Sequence, residues 1–583
     1  MRPTRSGGRS DLRRWPTRWR SSCTRTPGRS PAPPSRSPEG PSSAGRSAPP
    51  CAGHAGRPAA AGRTTGRRIG PVLAETLTDL LARRAAIHPE RSAFEDAGGG
   101  PGLDHGGAWA AACRAAGGLA RRGVGPGDRV VVLADQTVDA WVFLHGAMRL
   151  GAVPVLLNWR LTVEELTAIA TDARAGLVTS TPGWAAPAAG VARALGVEHL
   201  DVSDVADGRP LGGDHPLPRP DDVAVQMYTS GTTALPKGVC TTHANLLALL
   251  DLLTAELPGF AADSRHLVAA PLFHIAGFGF GVGPLAVGAP AVLLERFDPA
   301  AALDAVEHHG ITHTLLVPAM LQAVCAVPGA AERDTSGLRG LLYGGSPMSV
   351  SLMETVARTL GCAMTQAYGM TETTGIASLL RFDDHAAGLA AGDDDPARQR
   401  LASAGRAAIG TELRIDGPDD TGAGEVLVRS PMTMPGYWDR PEENGVTLAE
   451  GGWLRTGDVG RLDRDGYLYL VDRKKDVVIT KGENVYPGEV ERVLAEHPRV
   501  VDVAVVGVPD DEHGEALCAV VQVGPDGPPT LGELQEFCRG RLAGFKLPRR
   551  LEVVDDLPRT PSGKVMRRVV REPFWADRDR QVN

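Results

Sequence analysis

From Leu77 onward, apolar runs alternate with polar turns in a layered rhythm. The turn sequence Gly123-Val124-Gly125-Pro126-Gly127-Asp128 precedes Arg129–Leu133, four apolar residues behind one arginine, which predicts a short buried strand. Val138–Leu150 predicts a helix and 152–157 a second strand. Thr162 with Glu165 three residues later forms a capping box, and Val163, Leu166 and Ile169 give the helix behind it one apolar face. Strands alternating with helices predict layered α/β architecture. After Asp472 the rhythm changes. Residues 489–497 predict a helix, and 500–508 and 517–523 two strands. Thr530 and Glu533 cap a helix carrying Leu531, Leu534, Phe537 and Leu542, and 551–554 predict a third strand. About a hundred residues of this content make a small α+β domain.

Residues 1–69 lack such periodicity. Rich in Arg, Pro, Ser and Gly, they cannot bury enough apolar surface to offset the ordering of the chain, so we expect them to be disordered and dispensable. They contain no apolar h-region of a secretory signal. Their composition fits an organellar transit peptide or a basic arm for nucleic acid, but a start codon assigned too far upstream is the favoured reading.

Composition narrows the classes. The chain has 583 residues and a formal net charge of −7, but residues 1–69 alone hold fifteen Arg against Asp11 and Glu39. The remainder is therefore strongly acidic, which argues against nucleic acid as the main substrate. The eight cysteines are scattered without C-x-x-C or zinc spacing, as expected of reduced thiols in a cytoplasmic protein. No stretch approaches the ~18–20 apolar residues of a membrane span. Only six lysines occur (237, 474, 475, 481, 546 and 564), so each position where arginine has not been used draws notice.

One of them closes the most informative segment, Tyr228-Thr229-Ser230-Gly231-Thr232-Thr233-Ala234-Leu235-Pro236-Lys237-Gly238-Val239. Gly231 permits backbone conformations closed to other residues, and successive N–H groups can form an anion nest. Hydroxyls from Thr229, Ser230 and Thr232 add donors, and Lys237 adds charge. The loop suits a polyphosphate, yet it lacks the Walker A spacing.

This segment resembles the phosphate loop of the adenylate-forming superfamily, which includes acyl-CoA synthetases. Four further segments carry the same resemblance: Gly344-Gly345-Ser346-Pro347, Gln366-Ala367-Tyr368-Gly369-Met370-Thr371-Glu372-Thr373, Trp453-Leu454-Arg455-Thr456-Gly457-Asp458 and Pro561-Ser562-Gly563-Lys564. It runs from about Leu73 to about Arg571. It implies a large multi-layer α/β N-terminal domain of the acyl-CoA synthetase type over 70–471, a hinge at 472–475 and a smaller mobile α+β lid over 476–575.

The implied reaction is AMP-forming ligation of a carboxylic acid to coenzyme A, with ATP and Mg²⁺. By resemblance, the loop from Thr229 through Ser230, Gly231, Thr232 and Thr233 to Lys237 covers the β- and γ-phosphates. Ala234 departs from the family's usual Gly or Ser; if φ is positive there, alanine is strained by about 1–2 kcal/mol. Tyr368 stacks on adenine beside Gly369, and the backbone at Gly344, Gly345 and Ser346 reads its edge. Thr371 contacts the α-phosphate and Glu372 holds Mg²⁺. Read alone, Thr371-Glu372 is a helix N-cap with a first-turn acid. Asp458 accepts both ribose hydroxyls, and Arg473 adds a contact. Lys475 is the hinge residue. Lys564 bridges the substrate carboxylate and the α-phosphate as charge builds. Lys481-Gly482-Glu483-Asn484-Val485-Tyr486-Pro487 resembles the acyl-CoA synthetase branch, where Gly482 lines the pantetheine tunnel.

Pro271-Leu272-Phe273-His274-Ile275-Ala276-Gly277-Phe278-Gly279-Phe280 matches the acyl-pocket segment, with His274 as an aromatic gate and the glycines leaving room for a chain or ring. Amino-acid-activating relatives place an Asp here; Ile275, Ala276 and Gly277 offer no counter-ion, so an apolar acid, fatty or aromatic, is expected. Two alternatives stand beside this reading. One is an acyl-AMP ligase that loads a separate acyl carrier protein in trans; the other is a non-catalytic nucleotide- or acyl-binding protein. Monomer and homodimer are both open.

Overall fold

The computed structural model describes residues 74–205, 209–212, 215–229, 236–473, 476–480, 483–510, 514–524, 527–559 and 565–576. The expected disorder of 1–69 lies outside these residues.

Two mainly parallel sheets form the larger body. One runs, in spatial order, Gly436–Tyr437, Lys237–Thr242, Val223–Thr229, Val153–Leu156, Arg129–Leu133, Leu177–Ser180 and Glu198–Asp201. The other has nine strands, with His313–Leu316, Gly340–Gly344 and Ala363–Tyr368 side by side and parallel near its middle. Their strands read as apolar runs because helices cover both faces. The helices Leu77–Ile87, His105–Arg121 and Val138–Leu150 share one core with Val130, Val132 and Phe278. A third, antiparallel sheet holds Gly424–Arg429, Trp453–Leu462 and Leu468–Arg473.

The local expectations hold where sequence supplies both a pattern and a cap. Val138–Leu150 is a helix with Thr137 accepting from the Ala140 N–H and Gly151 closing it at φ 79°. Both capping boxes, at Thr162 and Thr530, are present. Two boundaries are corrected. The helix expected over 489–497 is Pro487–Leu494, begun by a proline whose missing N–H is no loss there. The helix behind Thr530 ends at Cys538, with Arg539 extended, so Leu542 lies beyond the helix and packs against the C-terminal core.

The C-terminal body is a small sheet, Glu483–Val485, Val478–Thr480, Gly514–Val523 and Val500–Asp510, with Arg550–Val554 pairing parallel to Gly514–Val523. Its cores draw only on residues beyond 477, and those of the larger body only on residues before 471. No helix among the described residues is long and apolar enough to cross a membrane.

Candidate functional site

The phosphate-loop segment bridges a hairpin. Thr229 ends the strand Val223–Thr229, Lys237 begins Lys237–Thr242, and the two are cross-strand partners. Ser230, Gly231, Thr232, Thr233 and Ala234 lie outside the described residues. Beneath the hairpin, the Tyr228 hydroxyl donates to Asp172 Oδ2 at 2.7 Å. Burial and that carboxylate together raise the phenol's pKa.

The hairpin's outer edge pairs with the two-residue strand Gly436–Tyr437, with Tyr437 opposite Val239. That register brings three side chains together. The Tyr437 hydroxyl donates to Glu372 Oε1 at 2.8 Å, and Lys237 Nζ stands 5.1 Å from the Tyr437 ring centroid. Glu372 is 5% exposed, and its carbonyl accepts from the Met434 N–H at 2.9 Å. Burial, then the Glu372 charge, raises the Tyr437 pKa, so the phenol keeps the proton it donates.

Thr371 and Glu372 lie in a 3-10 turn, Thr371–Thr373, in which Met370 and not Thr371 occupies the N-cap. The simple cap reading of Thr371 is therefore corrected. Gly369 comes so close to the Gly375 carbonyl that a side chain would overlap it. One turn earlier in the chain, the Tyr368 hydroxyl donates to Asp458 Oδ2 at 2.8 Å. Asp458 in turn is the cross-strand partner of Arg473, of which only the backbone is described. Its own N–H donates to Thr456 Oγ1 at 3.0 Å. Gly344 packs flat against Ala367, leaving no space for a Cβ, and Gly345 takes φ 81°, a conformation suited to glycine. Ser346 follows, half-buried.

Contacts and short stretches of chain thus link Thr229, Lys237, Glu372, Thr371, Tyr368 and Asp458. Sequence reasoning missed Tyr437. Its available signal was slight: one tyrosine beside a tryptophan in a chain with seven tyrosines.

His274 is the N-cap of the helix Ile275–Val282, its Nδ1 accepting from the Ala276 N–H at 3.4 Å. Ile275 packs against Gly375, which joins this segment to the Tyr368–Gly375 turn. One expectation fails here. A Cβ on Gly277 would overlap the Pro271 carbonyl, and one on Gly279 would press on Leu249. Gly277 makes room for the protein's own backbone and Gly279 for the Leu249 side chain. Lys475, Gly482 and Lys564 lie outside the described residues.

Magnesium fits this donor set in one way. No group of three or more His, Cys, Asp or Glu that could hold a metal ion occurs among the described residues. A single buried carboxylate, completed by water and phosphate oxygens, suits magnesium, which gives up its water reluctantly.

The AMP-binding enzyme family model matches residues 81–438, and that of the AMP-binding enzyme C-terminal domain matches 489–564. The chain belongs to this family. A feruloyl-CoA synthase from an Amycolatopsis species is 40% identical over 505 residues, 84% of this chain and 98% of that protein. A fatty acid–[acyl-carrier-protein] ligase from Streptomyces coeruleorubidus is 37% identical over 488 residues, 80% of this chain and 90% of that protein. Among solved structures, the O-succinylbenzoate coenzyme A synthetase from Bacillus subtilis, in complex with ATP and magnesium ion, superposes with a TM-score of 0.73. It is 31% identical, and the match covers 84% of this chain and 98% of that one.

Proposed function

We propose that this AMP-binding enzyme is an ATP-dependent, AMP-forming carboxylic acid–CoA ligase acting on an apolar acid, fatty or aromatic. The carboxylate oxygen attacks the α-phosphorus of ATP and pyrophosphate leaves. The thiol of coenzyme A then attacks the acyl carbon of the adenylate and AMP leaves. A carboxylate is otherwise a poor acyl donor; adenylation supplies the leaving group. Magnesium, when bound, contributes charge neutralisation on the phosphates.

The roles follow the family resemblance. Thr229, Ser230, Gly231, Thr232, Thr233 and Lys237 hold the β- and γ-phosphates. Tyr368 carries adenine with Gly344, Gly345, Ser346 and Gly369 along its edge. Thr371 orients the α-phosphate, Glu372 holds magnesium, and Asp458 with Arg473 binds the ribose. Lys564 meets the attacking carboxylate, His274 gates the acyl pocket, and the body over 476–575 swings about Lys475 to bring Gly482 over the thiol's path. A cytoplasmic location belongs to this proposal.

The observation that carries the reading is the run of contacts from Lys237 through Tyr437 to Glu372, beside the Tyr368–Asp458 hydrogen bond. The apolar acid is supported by Ile275, Ala276 and Gly277, which present no charge to an amino group. ATP–pyrophosphate exchange across medium-chain fatty and aromatic acids tests it: exchange with one of these classes is expected, and none across the panel overturns it. A second reading, transfer to a phosphopantetheinylated carrier protein in trans, is favoured by the resemblance to the fatty acid–[acyl-carrier-protein] ligase. Offering either acceptor after adenylation separates the two.

A further inference from the structure

We propose that Tyr437 is a positioning residue for the adenylation half-reaction, holding the Glu372 carboxylate through its hydroxyl and the Lys237 ammonium over its ring face. The inference rests on the assignment of Glu372 to magnesium and Lys237 to the phosphates.

Tyr437 is 8% exposed and fixed at its backbone on two sides. It pairs with Val239 in the phosphate hairpin, and Asn444 closes on it: the Tyr437 N–H donates to Asn444 Oδ1 at 2.7 Å, and Asn444 Nδ2 donates to the Tyr437 carbonyl at 3.0 Å. Its neighbour Trp438 donates through its backbone N–H to the Gly238 carbonyl at 2.7 Å and through its indole to the Asp172 carbonyl at 3.2 Å. The Arg129 guanidinium covers that indole at 3.4 Å. Arg440 pairs with the same Asp172 that accepts from Tyr228. The backbone at Tyr437 is therefore tied to the hairpin that carries Lys237.

Its two ends do different work. An ammonium and a carboxylate left to meet directly would neutralise each other, and that pair would have to open when nucleotide arrives. Tyr437 gives each a neutral partner, the face for the cation and the hydroxyl for the anion. Both charges are then oriented before the polyphosphate binds, without being spent on each other. A hydrogen-bonded residue behind a metal carboxylate typically changes metal affinity about 10–100-fold when lost.

The full-length protein tests this. Mn²⁺ binding is followed by electron paramagnetic resonance in the presence of α,β-methylene-ATP, for the wild type, Tyr437→Phe, Tyr437→Leu and Glu372→Gln, each checked for an unchanged melting profile. Tyr437→Phe keeps the ring and loses the hydroxyl; Mn²⁺ affinity is expected to fall about tenfold. The Mg²⁺ concentration for half-maximal exchange should rise in parallel. Thioester formation from a supplied acyl-adenylate should stay within about twofold, since no polyphosphate is handled. Tyr437→Leu, which also removes the ring, should add a rise in the KM for ATP. Wild-type Mn²⁺ binding by Tyr437→Phe, alongside loss in Glu372→Gln, overturns the proposal. Wild-type binding by Glu372→Gln removes the metal assignment beneath it.

Discussion

The candidate nucleotide site and the junction between the two bodies are held by different physics. At the site, two carboxylates each accept from a tyrosine on a strand: Glu372 from Tyr437 and Asp458 from Tyr368. At the junction one guanidinium gathers several carboxylates. Arg567 pairs with Asp472 at 2.9 Å, Asp476 at 3.3 Å and Glu491 at 2.5 Å, and the Gly488 N–H also donates to Asp472. Asp472 belongs to the last strand of the larger body, whereas Glu491 and Arg567 belong to the smaller one. No apolar cluster among the described residues spans both bodies. A junction of this kind can separate without exposing apolar surface, because water can solvate the released charges. The Tyr437 contact, by contrast, rests on strand pairing with Val239 and cannot shift without breaking that pairing.

The comparison can be broken most severely at the reacting centre. Lys564→Ala should lower adenylation about 10²–10³-fold while folding is unchanged, since a donor aimed at developing charge is worth that much. Thioester formation from a supplied adenylate should suffer far less. Equal loss of both steps would end the picture of a lid that serves two half-reactions.

Next comes the junction itself. Arg567→Gln leaves Asp472, Asp476 and Glu491 facing one another and should destabilise the smaller body by about 3–5 kcal/mol, as when a buried pair loses one partner. Its neighbours hold the Arg567 pKa above its ordinary value despite burial, so alkali within the usual range will not release it. Calorimetry should show the C-terminal transition fall while the larger body's stays. Lysine at 567 should restore only part of the loss, lacking the planar fork. A shared shift of both transitions would mean that the bodies are not separable.

Acid should act on the larger body. His145 is fully buried with neither ring nitrogen bonded, and its pKa is lowered to about 4 by burial. Below pH 6.5 the unfolded chain takes up a proton that folded His145 refuses until about pH 4, so stability falls across that window. The loss reaches about 3 kcal/mol at its lower end. His145→Phe keeps an aromatic ring beside Phe94 and Trp141 and should remove this loss from urea unfolding at pH 4.5. An unchanged acid response would place the proton elsewhere.

The smallest effect compares matched caps. Thr162→Ala and Thr530→Ala each break a capping box and should cost about 1 kcal/mol. The smaller body has less unfolding entropy, so Thr530→Ala should shift its Tm further. Equal shifts would indicate one cooperative unit.

Much of this was legible in the chain alone. Val138–Leu150 and the two capping boxes were readable because their signals lie within one helical turn. The order of the motifs likewise named the family and the chemistry, since Thr229, Glu372 and Asp458 sit in segments of recognisable composition. Leu542 was misplaced because a local pattern continued past the residue at which the backbone turned extended. Gly277 and Gly279 were misread because space around a glycine is decided by what packs on it, here Pro271 and Leu249.

Tyr437 marks the boundary between the two kinds of knowledge. It lies 65 residues from Glu372 in sequence, and the pairing of Gly436–Tyr437 with the phosphate hairpin brings it against both Glu372 and Lys237. Sequence determined the elements and the chemical inventory, because short-range hydrophobic period, caps and turn residues act within a few positions. Tertiary structure alone decided which neutral side chain would contact both Lys237 and Glu372. Strand register is set by burial across the whole sheet, and a shift of one residue would turn that ring to the opposite face.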